Sequence, residues 1–139
     1  MHHNKQYERE FVRLMTKLGI TCFRIAGSGA GEEAVSDCIL YLPEPCVVEV
    51  KATKEELLYM RQSIKEQLER MVAVCMKDNL IPLLAIKFKY RGWNIIKVDE
   101  LKNISFDKER CIDETVSKDN LRAFIRLQDH ERNTAGNSR

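Results

Sequence analysis

Cys46-Val47-Val48-Glu49-Val50-Lys51-Ala52 is the stretch on which the fold turns. It reads as a short, mostly buried strand with Glu-x-Lys at its end. Side chains alternate along a strand. Val48 and Val50 therefore point to one face, and Val47, Glu49 and Lys51 to the other. A carboxylate and an ammonium leave an apolar segment side by side, and burying either charge alone is costly. A metal gives one reason for the pair. Asp37 and Glu49 offer hard oxygen donors of the kind Mg²⁺ takes, one or two carboxylates completed by waters and a substrate phosphate. Lys51 would then orient the attacking water or stabilise charge at the phosphate. The other reading is a solvated salt bridge on a half-exposed sheet, of little energetic worth.

The 139 residues suffice for one domain with a real core. A hydrophobic share of 44% beside 32% charged residues is that of a soluble globular protein. No apolar run approaches the roughly 20 residues of a membrane span. Met1-His2-His3-Asn4-Lys5 leads straight into a charged helical pattern rather than a signal peptide, so the cytoplasm is the expected compartment. A net charge of +2 neither demands nor excludes nucleic acid; only a local basic patch would. The five cysteines, at 22, 38, 46, 75 and 111, show no C-x-x-C spacing and read as reduced, mostly buried thiols. His2, His3 and His130 are too few and too terminal to suggest histidine catalysis.

The periodicity predicts a helix over 4–18, through Tyr7, Phe11, Leu14, Met15 and Leu18, stopped by Gly19. Glu8 falls at the border of its apolar face. Residues 20–26 alternate as a strand with Arg24 near the end. Gly27-Ser28-Gly29-Ala30-Gly31-Glu32-Glu33 follows as a glycine-rich loop. It lacks the Lys-Ser/Thr ending of a P-loop and the strand–helix setting of a dinucleotide fingerprint, which excludes nucleotide binding of those kinds. Val35–Tyr41 and Cys46–Ala52 read as two antiparallel strands about the Pro43-Glu44-Pro45 turn. Residue numbers summing to about 87 would pair, which sets Asp37 near position 50 and so close to Glu49.

Residues 55–78 are expected to form the longest helix, with Leu57, Met60, Ile64, Leu68, Met71 and Cys75 in one stripe. Lys54, Arg61, Lys65 and Arg70 are placed on its flanks. Pro82–Phe88 is a nearly continuous apolar strand suited to a sheet centre, and Trp93–Val98 follows after a turn. A strand–helix–strand step from 46 to 88 implies a parallel pair with a right-handed crossover. The order α-β-β-β-α-β-β makes a mixed sheet flanked by helices. Beyond residue 100 the pattern weakens. A short helix over 118–130 and a disordered tail over 132–139 are expected, giving a main domain 1–104 and a C-terminal extension 105–139.

Taken in order, the Glu8-Arg9-Glu10 helix start, Arg24, Gly27-Ser28, Asp37, Glu49-Val50-Lys51, the long helix and Leu83-Leu84-Ala85-Ile86-Lys87-Phe88…Gly92-Trp93 resemble the archaeal Holliday-junction resolvases. These belong to the PD-(D/E)xK nuclease superfamily, and the resemblance runs from about Tyr7 to Val98. It implies an α/β fold of restriction-endonuclease type, with a mixed five-stranded sheet flanked by helices. It also implies metal-dependent phosphodiester hydrolysis, resolving four-way DNA junctions by paired symmetric nicks. By position, Asp37 and Glu49 resemble the metal-binding carboxylates, Glu8 an assisting acidic residue and Lys51 the motif lysine. Arg24 and Ser28 resemble the arginine and serine placed near the scissile phosphate. Arg9 resembles a DNA contact, Lys54 is a further candidate for one, and Gln67 is similar to a helical supporting glutamine. Mg²⁺ is the implied cofactor, with Mn²⁺ as a substitute. Four-way junction DNA and a second copy of the chain are the implied partners, with no membrane.

The proline usual before the aspartate is replaced by Ser36, and Glu32 and Glu33 add negative charge to the loop. Two other readings stand beside this one: a superfamily nuclease acting on duplex ends or flaps, and a non-catalytic junction-binding module that keeps the fold.

Overall fold

The computed structural model describes residues 3–25 and 36–127. Helix α1 spans His3–Lys17, with Tyr7, Phe11 and Met15 buried at four-residue spacing on one face. Gly19 ends it at φ +77°, a left-handed conformation that glycine adopts without strain. The Ile20 N–H then reaches back to the Met15 carbonyl at 2.9 Å, closing the last turn.

Strands β1 (Cys22–Arg24), β2 (Cys38–Tyr41), β3 (Pro45–Thr53), β5 (Ile81–Phe88) and β6 (Gly92–Lys97) build one sheet in the order β1-β2-β3-β5-β6. β2 and β3 pair antiparallel, Cys38 facing Val48 and Leu40 facing Cys46. β3 and β5 pair in parallel from Cys46–Ile81 to Thr53–Phe88, with helix α2 (Gln62–Asp78) in the crossover. β3 is thus enclosed by neighbours on both edges and bears a core layer on each face. Val48 and Val50 join the α1 layer, with Phe11, Leu83, Trp93 and Ile95. Val47 joins the α2 layer, with Leu68, Met71, Leu84 and Ile86. This is the alternation and the mixed five-stranded sheet expected from the sequence.

Two expectations are corrected. The long helix does not begin at residue 55. Residues 57–58 form a short strand, β4, paired antiparallel with β7 (Ile104–Ser105), and α2 starts at Gln62. Leu57 and Met60 matched the helical spacing, but a partner strand more than forty residues away claims this backbone. Lys54 and Arg61 accordingly lie outside the helix. The second correction concerns the residues after 104, which are set into the body of the fold. Ile112 bridges to Trp93, and Ile112, Leu121, Ile125 and Leu127 are buried in the α1 layer. Helix α3 (Lys118–Ile125) is capped by the Ser117 hydroxyl, which accepts from the Asn120 N–H at 3.1 Å. Among the described residues no helix is long and apolar enough to cross a membrane.

Candidate active site

The site lies where β2 starts against the middle of β3. Beyond the Cys38–Val48 pair, the Asp37 N–H donates to the Val48 carbonyl at 2.9 Å. The Val50 N–H then needs an acceptor, and the Asp37 side chain provides one: Oδ2 accepts from it at 2.8 Å. An aspartate here extends the ladder with its own carboxylate, which locks that carboxylate beside Glu49. The expected closeness of Asp37 to position 50 is met through this bond.

Glu49 projects from β3 towards α2 and is 1% exposed. Lys51, two residues on and on the same face, places Nζ 3.2 Å from Glu49 Oε2. The same Nζ donates to Gln67 Oε1 at 2.9 Å. The helical glutamine therefore fixes the lysine between strand and helix. Glu8 comes from α1 and is 5% exposed; its Oε1 receives Arg24 Nε at 3.2 Å. Residues distant in sequence, on α1, β1, β3 and α2 and just before β2, thus converge about the middle of β3.

The electrostatics of this convergence are unbalanced. Burial, with the Asp37 charge second, pushes the Glu49 carboxyl up to about 8, and Lys51 offsets this only in part. Burial and then Asp37 also raise Glu8, against the lowering effect of Arg24. Glu49 Oε1 is buried without any hydrogen-bond partner, and so is the hydroxyl of Ser36, the residue before Asp37. A buried acceptor left unsatisfied is costly, and crowded carboxylates ask for a shared cation or proton.

Asp37 and Glu49 fit a hard divalent metal on these observations: paired oxygen donors, one orphaned acceptor and excess negative charge. Among the described residues no three or more His, Cys, Asp or Glu side chains are gathered as a ready metal cage. Mg²⁺ does not require one, since it keeps waters and takes substrate phosphate.

Arg9 is exposed on α1, and Lys54 is exposed just past β3. Ser28 lies outside the described residues, as do Glu32, Glu33 and His130. The thiols take no part: Cys22, Cys38, Cys46 and Cys75 are buried and unbridged. Burial pushes Cys46 up to about 12 and Cys75 up to about 11, far from the reactive range.

Comparison with known proteins bears on the fold and the family. The structure of Hjc from the hyperthermophile Archaeoglobus fulgidus, a Holliday junction resolvase, superposes with a TM-score of 0.58 at 23% identity, over 72% of this chain and 85% of that one. The likeness establishes the fold. The family model for the archaeal Holliday junction resolvase, Hjc, matches residues 2–133, well past Val98 where the resemblance read in the sequence stops. From the buried acidic cluster on its sheet to the core residues after 104, this chain belongs to the archaeal Holliday junction resolvases, a family of nucleases.

Proposed function

We propose that Asp37, Glu49 and Lys51 form the hydrolytic centre of a homodimer that cuts four-way DNA junctions in paired, symmetric nicks. The observation that carries this reading is Glu49: deeply buried, crowded by Asp37, and holding one oxygen with no partner. A residue kept in that state for stability alone would be a poor choice, because an unpaired buried acceptor destabilises the fold. Asp37 and Glu49 would hold Mg²⁺, or Mn²⁺ in its place, and Glu8 would assist from α1. A metal bound there lowers the pKa of a coordinated water and offsets charge at the phosphate.

The chain's own groups do the rest. Lys51, steadied by Gln67, orients the attacking water and faces the charge that develops on the phosphate. Arg24, held by Glu8, presents its guanidinium at the end of β1 and grips the phosphate beside the cut, a role that Ser28 would share. Arg9 and Lys54 contact the backbone further out. Binding by such groups follows shape and phosphate position rather than base identity and weakens steeply with salt. A junction has two symmetry-related strands to cut, and a two-fold dimer presents two centres with matching symmetry. DNA as substrate makes the cytoplasm the expected compartment.

The test is incubation with an immobile four-way junction beside a linear duplex of the same sequence, with Mg²⁺ and with EDTA. Metal-dependent paired nicks in the junction, with the duplex intact, are expected. Cutting of both substrates would replace the reading by that of a general nuclease. Binding without cutting under any metal would replace it by that of a binding module.

A further inference from the structure

A groove of about 530 Å³ opens beside the proposed hydrolytic centre, lined by Thr53, Glu55, Leu58, Tyr59, Arg61 and Ile64 among others. Both of its walls continue from the Lys51–Gln67 contact. Along β3, Thr53 follows Lys51 on the same face, about 6–7 Å further on for two residues of strand. Along α2, Ile64 lies one turn before Gln67, about 4.5 Å back for three residues of helix. The groove is therefore the direct extension of the place where Lys51 stands. Its size is that of a site for one small planar group and its attachments.

Tyr59 stands at this groove with half of its surface exposed (51%), while the adjacent Leu58 is buried. Its backbone is held firmly. Leu57 and Leu58 pair with Ser105 and Ile104, the Phe106 N–H donates to the Glu56 carbonyl at 3.0 Å, and the Met60 N–H donates to Asn103 Oδ1 at 2.7 Å. The Arg61 N–H turns back to the Tyr59 carbonyl at 3.0 Å. The segment read from sequence as the start of a helix is instead tied down by the residues at 103–106. The product is an exposed aromatic ring and an exposed guanidinium two residues apart, beside the strand that carries Glu49 and Lys51. Arg61 balances Glu55 in the lining, Arg91 pairs with the neighbouring Glu56, and the exposed Lys54 tips the local charge towards a polyanion.

We propose that this groove receives the nucleotide adjoining the scissile phosphate at the branch point, with Tyr59 stacked on its base and Arg61 on its phosphate. The assignment rests on the reading of Asp37, Glu49 and Lys51 as the hydrolytic centre. A tyrosine face accepts any base, which suits recognition by shape, and base–aromatic stacking of this kind is sequence-tolerant. In a junction whose arms are held open, stacking across the branch point is interrupted, so a base is available there that a continuous duplex withholds. Tyr59 then helps the enzyme prefer junctions over duplex.

The test uses the full chain and a four-way junction carrying 2-aminopurine at the branch-point nucleotides. Single-turnover cleavage is measured in Mg²⁺ with enzyme in excess, and fluorescence in EDTA, for the wild type, Tyr59→Ala, Tyr59→Trp and Arg61→Ala. Tyr59→Ala is expected to slow junction cleavage at least about 10-fold and to abolish the fluorescence change on binding, while Tyr59→Trp keeps both. Tyr59 is half exposed, so the variants should melt with the wild type. Junction cleavage by Tyr59→Ala at the wild-type rate would overturn the proposal. So would a loss of cleavage that accompanies a shift from dimer to monomer, since Tyr59 would then be an intersubunit contact. A wild type that fails to cut any junction would instead remove the underlying assignment of the hydrolytic centre, an outcome distinct from both.

Discussion

Two regions of the molecule set carboxylates against cations, and they differ in what is left over. At the edge of the sheet, Glu10 receives Lys87 Nζ at 2.8 Å and Trp93 Nε1 at 3.2 Å, and Lys87 lies 5.7 Å over the Trp93 ring. Lys17 meets Glu114 at 2.7 Å nearby. A cavity of about 420 Å³ opens between these groups, yet each of these carboxylates has its own cation and water reaches the pairs. Where the start of β2 meets the middle of β3, Glu8, Asp37 and Glu49 outnumber Arg24 and Lys51, and the excess is buried. Ion pairing is common to both regions. Uncompensated buried charge belongs to the second alone, and it is this that a protein keeps for chemistry rather than for stability.

Substitutions should break this contrast unequally. Glu49→Gln is expected to lower single-turnover junction cleavage by about 10³-fold or more, with junction affinity largely kept, because it removes a proposed metal ligand without changing shape. Binding lost together with cleavage would mark Glu49 as structural. Lys51→Ala should cost about 10²-fold in the same assay, since it removes a positioned donor but leaves both carboxylates.

The next effect is on stability and runs with pH. Glu49 holds its proton up to about pH 8 when folded, against an ordinary value of 4.5. Between those values the native state binds a proton that the unfolded chain has released, so stability falls as pH rises. In EDTA the melting temperature should therefore drop between pH 5 and pH 8, by something on the order of 5 °C. Glu49→Gln should flatten that slope, and a slope unchanged by the substitution would refute the cause assigned to it. The smallest effect belongs to the balanced region. Glu10→Gln should leave cleavage unaltered and shift stability by no more than about 1 kcal/mol, as half-exposed ion pairs do.

Much of this arrangement is legible in residue order. The alternation in Cys46–Ala52 places Glu49 and Lys51 on the face opposite Val48 and Val50, and the short turn at Pro43 brings Asp37 to them. Both depend on local geometry, which sequence spacing encodes. The start of α2 was not legible. Leu57, Leu58 and Met60 fit a helical stripe as well as they fit a strand, and only pairing with Ile104 and Ser105 decides between the two. The core roles of Ile112, Leu121, Ile125 and Leu127 were hidden likewise, since isolated apolar residues in a polar stretch show nothing of the surface they meet. Within the site, the Glu8–Arg24 pair joins elements whose contact no periodicity reports. Ser36 was noted only as a missing proline, although its buried, unpartnered hydroxyl borders the same centre.

The parallel pairing of β3 with β5 sets an order of events for the growing chain. β2 and β3 are joined by a short turn and can close as a hairpin as soon as both exist. Their parallel neighbour follows only after the whole of α2, and such non-local pairings form slowly. Asp37 and Glu49 can therefore meet early, in water, where their repulsion is screened and their protons exchange readily. Only when β5 docks and α2 closes over that face does the pair lose its solvent. The proposed nuclease centre is in this sense a late product of folding, assembled from residues that were neighbours long before they were buried.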